Sequence, residues 1–254
     1  MKVFAVSMVK DEQDIIQYTI ENLIARGVDH ILINDNLSSD GTTEILQDFE
    51  TRGLITVYED KEVGYYQSDK MTDLARKAFD QGADWVIPFD ADEYWSVPST
   101  FHSFFSGITQ SCCQFKLFNY FPTSNDKHSE RNPFLRITNR SIEPAPLYKV
   151  AVRNVRNLVI HQGNHSATGD NMTYMLGNGM IGHFPWRSYE QFRKKVINGY
   201  KAYAASTLPE DMGSHWRSYG QLFEAGGDEA LKGVFEKWFS DPEEGVMNAP
   251  VSVP

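Results

Sequence analysis

The chain has 254 residues, a formal net charge of −10, 41% hydrophobic residues and 23% charged residues. That length can bury a full core, and the acidic balance excludes a nucleic-acid binder, which would carry a basic stripe. The two cysteines, Cys112 and Cys113, are adjacent; neighbours on a strand point to opposite faces, so they predict no disulfide and fit a reducing compartment.

Strand and helix signals alternate through the first hundred residues. "VFAVSMV" (3–9) is an apolar run of strand length, followed by Ile15, Ile16, Ile20, Leu23 and Ile24 at helical spacing. Asp11 is the expected N-cap of that helix, and Gly27 its stop. "HILIN" (30–34) reads as the second strand, and Ser39 or Asp40 caps a helix carrying Ile45, Leu46 and Phe49. "LITVY" (54–58) is the third strand, after which Ser68 opens a helix with Met71, Leu74, Ala75, Ala78 and Phe79 on one face. "WVIPF" (85–89) is the fourth. Apolar strands alternating with helices predict a parallel sheet covered on both faces.

After residue 100 the rhythm changes. "CCQFKLFNYF" (112–121), "FLRIT" (134–138), "YKVAV" (148–152) and "MIGHF" (180–184) read as strands of a mixed region. From Arg187 onward the pattern is helical, in "SYEQFRKKVINGYKAY", "SYGQLF" and "EALKGVFEKWF". The organisation expected is an α/β half (1–110), a mixed β region (111–186) and a C-terminal helical segment (187–254) in one compact unit. The tail after Asp241, with three prolines, is expected to be loosely held. No segment approaches the roughly 20 apolar residues of a membrane span, and no secretion signal is visible. The expected location is cytoplasmic, with peripheral contact at the inner face of the membrane left open.

In an open parallel sheet, ligands bind beyond the carboxyl ends of the strands. Polar residues collect there: Lys10, Asp11 and Glu12; "NDNLSSDGT" (34–42); Glu59 and Asp60; and, in "VIPFDADEYW", Asp90, Asp92 and Glu93. Three carboxylates within four positions repel one another unless a cation sits among them. Alternate residues on an extended chain point the same way, so Asp90 and Asp92 are predicted to share one hard divalent cation, Mg²⁺ or Mn²⁺, whose open positions face a diphosphate.

"NDNLSSDGT" and "FDADEYW" resemble the aspartate-rich turn and the Asp-x-Asp motif of family 2-like glycosyltransferases with the GT-A fold. "GHFPWRSYEQFRKK", "YKVAVRN" and "GNHSA" resemble a bacterial branch related to family 92. The resemblance implies a mostly parallel, Rossmann-like sheet flanked by helices, with a smaller mixed β acceptor region and C-terminal helices. It implies metal-dependent, inverting transfer of a sugar from a nucleoside-diphosphate sugar, a UDP-sugar being favoured, to a carbohydrate or glycolipid acceptor. Asp35 would accept from the base with Glu12 nearby, Asp90 would touch the ribose and help hold the metal, Asp92 would bind the metal, and His183 would complete its shell. Asn36 departs from relatives that carry a second aspartate.

Other roles rest on residue chemistry. Arg187, Lys194, Lys195 and Lys70 are candidate diphosphate contacts, each also readable as a solvated helix face. Transfer needs a base for the acceptor hydroxyl, and two candidates stay open: Glu93, beside the motif, and His165, in the Gly-containing turn "QGNHSATG". Trp95 and Trp186 flank the metal-site segments and are the expected stacking platforms for an acceptor sugar. A haloacid-type phosphatase would carry Asp-x-Asp after the first strand. A nucleotidyltransferase or dinucleotide enzyme would need glycines in "SMVKDEQDII", which has none. A sugar-binding protein without catalysis is the non-enzyme alternative.

Overall fold

The computed structural model describes residues 1–124, 126–239 and 245–251. Strands β1 (Val3–Val9), β2 (His30–Asp35), β3 (Ile55–Glu59) and β4 (Trp85–Pro88) alternate with helices α1 (Ile16–Ala25), α2 (Thr42–Thr51) and α3 (Gln67–Asp80). The four strands are parallel, in the order β3-β2-β1-β4. Their apolar character on both faces has a direct cause. Val3, Ala5 and Val9 pack with Ile16, Ile20 and Leu23 of α1 and Leu46 and Phe49 of α2. Phe4 and Val6 turn the other way, onto Met71, Leu74, Ala75 and Ala78 of α3. Burying each such side chain contributes about 1.5–3 kcal/mol, so the register is set by both helical layers at once.

The second region continues the same sheet. Strand β5 (Glu93–Ser96) and the short helix α4 (Phe101–Ser106) lead into β6 (Cys112–Phe121); after α5 (Pro133–Arg136) come β7 (Asn139–Ser141) and β8 (Tyr148–Val152). β8 lies antiparallel to both β4 and β6, through Val86–Val152 and Cys113–Ala151. A small hairpin, β9 (Val159–Ile160) with β10 (Ala167–Thr168), encloses a 3₁₀ turn. Then β11 (Tyr174–His183) lies between β5 and β6. Helices α6 (Tyr189–Ala204) and α7 (Ser214–Phe239) pack on each other, with α7 broken at Gly227, where φ is 60°. Strand β12 (Val246–Asn248) closes the sheet edge against β7. No helix among the described residues is long and apolar enough to cross a membrane.

Three local expectations are corrected. "FLRIT" is not a strand: Pro133 stands in the first turn of α5 and the Asn132 side chain accepts from Phe134 N–H, so the segment starts as a helix. Asp11 does not cap α1, which begins five residues later; Asp11 takes φ 55° in the turn after β1. The tail is anchored where it is described, since Ala249 donates to Thr138 O at 2.8 Å and accepts from the Tyr120 hydroxyl at 2.9 Å; residues 241–244 and 252–254 lie outside the described residues. Cys112 and Cys113 face opposite layers, both as free buried thiols.

Candidate active site

The parallel register brings the acidic turns to one edge. Val9 is level with Asp35, Asp35 with Glu59, and Val6 with Pro88. A cavity of about 400 Å³ opens there, lined by Lys10, Asp11, Glu12, Asn36, Tyr65, Gln67, Asp90, Asp92, His165, His183 and Lys195 among others. Helix α6 crosses it. Lys195, Asn198, Gly199 and Ala202 face the cavity, at the spacing of one helical face.

The cations among the crowded carboxylates are side chains. Lys149, on β8, has only 2% of its side chain exposed, and its ammonium lies 2.5 Å from Asp90 Oδ2, 2.7 Å from Glu93 Oε1 and 2.6 Å from Gly163 O. Lys195 Nζ lies 2.5 Å from Asp92 Oδ2 and 3.1 Å from Glu12 Oε1. Burial opposes the charge on both lysines, yet these carboxylates hold their pKa values above the ordinary amine range. Burial likewise works to raise the Asp92 pKa, but Lys195 and Arg187 hold it well below the carboxylate range. Glu12 and Glu93 go the other way: burial raises both, Glu93 to about 7.

Asp90 and Asp92 do not share a partner as the extended-chain pattern predicts. Residues 91 and 92 form a turn, in which Glu93 N–H donates to Asp90 O at 3.2 Å. Asp90 accepts from Lys149, from Gln67 Nε2 at 3.1 Å and from Asn164 Nδ2 at 2.9 Å, so both of its oxygens are occupied by protein donors. Asp92 and His183 are differently placed. His183 Nδ1 is bonded to Asn119 Oδ1 at 2.8 Å, an acceptor, so Nδ1 carries the proton and the Nε2 lone pair is left facing Asp92 Oδ1 at 3.7 Å. Burial and the nearby lysines lower the His183 pKa to about 4, keeping the ring neutral.

Among the described residues no three His, Cys, Asp or Glu side chains converge in a metal-binding cluster. The Asp92–His183 pair nevertheless fits a divalent cation that takes its remaining ligands from diphosphate and water. Asp90 does not fit that role.

Several predicted residues are placed elsewhere. Arg187 has no exposed side-chain area, and its guanidinium clamps Asp14 and Glu12 at 2.5–2.8 Å and Phe184 O at 2.9 Å. It therefore holds the first acidic turn in place and lies outside the cavity lining. Lys70 pairs with Asp60 at 2.6 Å and donates to Glu62 O, pinning the turn after β3. Asp35 accepts from Ser38 N–H and the Thr43 hydroxyl, and the next residue, Asn36, lines the cavity instead. Lys194 pairs with Asp11 and Asp40.

Glu93 is corrected as a candidate base. It is fully buried, with Oε2 accepting from Asp90 N–H and Trp95 Nε1–H, each at 3.1 Å, and Oε1 against Lys149. Trp95 is corrected as a platform, because its ring is wholly inside the core against Phe101 and Phe115. Trp186 also lies behind the cavity wall, edge-on to Phe192 and Trp216. His165 does line the cavity. Its Nδ1 meets Tyr148 O at 2.9 Å, which fixes the proton on Nδ1 and leaves Nε2 with a lone pair; burial, then Lys149, lower its pKa. Gly163 makes room for that ring: its φ is 72°, and a Cβ there would stand 2.7 Å from His165 Nε2.

The sequence reasoning missed Lys149, Gln67, Asn164 and Asn119. Only Lys149 leaves a local trace, as one charge inside the otherwise apolar strand "YKVAV".

A parallel sheet whose carboxyl edge gathers an aspartate turn, a histidine and buried lysines over a cavity is the framework of a nucleotide-sugar-dependent glycosyltransferase. The model of the family described as glycosyl transferase family 2 matches residues 5–165, and the chain belongs to that family. No curated protein sequence matches the chain. Among solved structures, it is similar to S. aureus TarS 1–349 in complex with UDP-GlcNAc, at 12% identity and a TM-score of 0.44, over 88% of this chain and 73% of that one. It is also similar to GalNAc-T7 with UDP, GalNAc and Mn²⁺, at 11% identity and a TM-score of 0.46, over 93% of this chain and 54% of that one. A third is HddC from Yersinia pseudotuberculosis, at 9% identity and a TM-score of 0.40, over 76% and 97%.

Proposed function

We propose that this glycosyltransferase moves a sugar from a UDP-sugar to a carbohydrate or glycoconjugate acceptor, with inversion and with a divalent cation, Mn²⁺ or Mg²⁺. The observation that carries this reading is the convergence of Asp92, His183 and Lys195 on one cavity at the carboxyl edge of the sheet. Asp92 Oδ1 and His183 Nε2 are the ligands offered to the cation, and Asn119 holds the histidine in the required tautomer. When bound, the cation supplies Lewis-acid stabilisation of the diphosphate charge.

Lys195 is the protein's own contribution to that charge. Its side chain is 25% exposed, so its ammonium can turn from Asp92 to a phosphate oxygen without leaving the cavity. Lys149 has no such freedom and serves to fix Asp90. His165 is the assigned base. The acceptor oxygen attacks the anomeric carbon, its proton passes to His165 Nε2, and the bond to the diphosphate breaks with the electron pair leaving on the phosphate oxygen. The neutral tautomer held by Tyr148 O supports that assignment over Glu93.

Calorimetric titration with UDP, with and without Mn²⁺, tests the reading. Affinity that rises with Mn²⁺ in the wild type supports it, and no UDP binding under either condition refutes it.

A further inference from the structure

One wall of the cavity consists of rings that the donor roles above do not use. Tyr65, Tyr203, His215 and Trp216 line it together. Tyr65 and Tyr203 stand 4.8 Å apart between centroids, and Trp216 is braced by Trp186 at 5.9 Å and His215 at 4.6 Å. Two glycines clear space for these rings. A Cβ on Gly199 would come within 2.9 Å of Trp216 Cδ2, and one on Gly213 would enter the Tyr203 ring; both glycines line the same cavity.

The wall is set beside the chemistry. Lys195 touches Asp92, and Gly199, under Trp216, follows one helical turn later, about 6 Å along the axis of α6. Tyr203 follows after another turn. Its hydroxyl accepts from Gln162 Nε2 at 3.3 Å, and Gln162 opens the turn that runs into His165. The aromatic wall therefore links the cation ligands at one end to the assigned base at the other.

We infer that Trp216, with Tyr65 beside it, forms the subsite for a pyranose ring of the acceptor, while Tyr203 is buried and backs Tyr65. An attacking hydroxyl must lie within reach of the base, so the surface adjoining His165 belongs to the acceptor. Sugar rings present flat C–H faces that stack on aromatic rings. Gln162, which donates to Tyr203 Oη, and Asn198, whose Nδ2 donates to Asp11 at 2.6 Å, add polar edges to the same wall. The inference rests on the transfer reading above, and it moves the platform from Trp95 and Trp186 to Trp216, leaving Trp186 as its brace.

Saturation-transfer NMR on the full chain tests it, with UDP, Mg²⁺ and a panel of methyl pyranosides: glucoside, galactoside, N-acetylglucosaminide and rhamnoside. The wild type should transfer saturation to UDP and to C–H protons of at least one glycoside. In Trp216→Leu, which keeps an apolar side chain but loses the flat face, UDP binding should persist while glycoside affinity falls about tenfold. Unchanged glycoside affinity in the variant overturns the inference, as does a wild type that binds UDP and none of the glycosides. Joint loss of both ligands in the variant also overturns it, because the ring would then serve the donor side or the fold. A wild type that binds no UDP refutes the transfer reading itself, which the other outcomes leave standing.

Discussion

Lys149 and Asp90 form a 2.5 Å ion pair between β8 and the turn that follows β4. The same ammonium reaches Glu93, so one buried cation serves two carboxylates. Removing one partner of a buried pair leaves the other charge uncompensated, at a cost of about 3–5 kcal/mol. Lys149→Met should destabilise the protein by that amount in urea denaturation, and adding Glu93→Gln should recover part of the loss. A cost below about 1 kcal/mol would show that the pair contributes as little as a surface bridge.

Lys195 makes a different prediction because it is partly exposed and faces the cavity. Lys195→Gln should weaken UDP binding by about 1.5–3 kcal/mol, the scale of a hydrogen bond to a charged group. Calorimetry gives the value directly. Equal affinity in variant and wild type would confine Lys195 to its intramolecular pairing with Asp92 and Glu12.

His165 predicts the acid limb of the rate profile. Its pKa is lowered by burial and by Lys149, below the ordinary histidine value of 6.5. A general base works in its neutral form, so donor turnover should hold from neutral pH downward and fall only at a pH below 6.5. His165→Asn should lower the rate about 10²–10⁴-fold and abolish that limb. A limb that persists in the variant would assign the base elsewhere.

Gly163 tests how that ring is seated. Gly163→Ala would place a methyl group 2.7 Å from His165 Nε2 at a backbone φ of 72°. Strain of this kind costs about 1–3 kcal/mol, and the imidazole must move to relieve it. Both thermal stability and turnover should fall; full activity at unchanged stability would show that the turn adapts without cost.

The parallel half of the fold was legible because its signals are local. The alternate residues of "VFAVSMV" feed two helical layers, and glycines close α2 and α3 at Gly53 and Gly82, with φ of 73° and 89°. "FLRIT" misled because its composition suits a strand, while the cap at Asn132 and Pro133 starts a helix. The acidic turn was visible, but its cations were not: Lys149 is 59 residues from Asp90 and Lys195 is 103 from Asp92. Trp95 and Trp186 lie near Asp92 and His183 in sequence, yet neither lines the cavity. Trp216 reaches the cavity only because α7 folds back on α6, which no local spacing announces.

Asp92, with His183, is proposed to hold a cation that binds the donor's diphosphate, while Lys149 holds Asp90. Calorimetric titration of UDP into wild type, Asp92→Asn and Asp90→Asn, each with and without Mn²⁺, tests it most directly. Mn²⁺ should strengthen UDP binding in the wild type and in Asp90→Asn but have no effect in Asp92→Asn, with all three proteins folded. Mn²⁺ enhancement that survives in Asp92→Asn would contradict it.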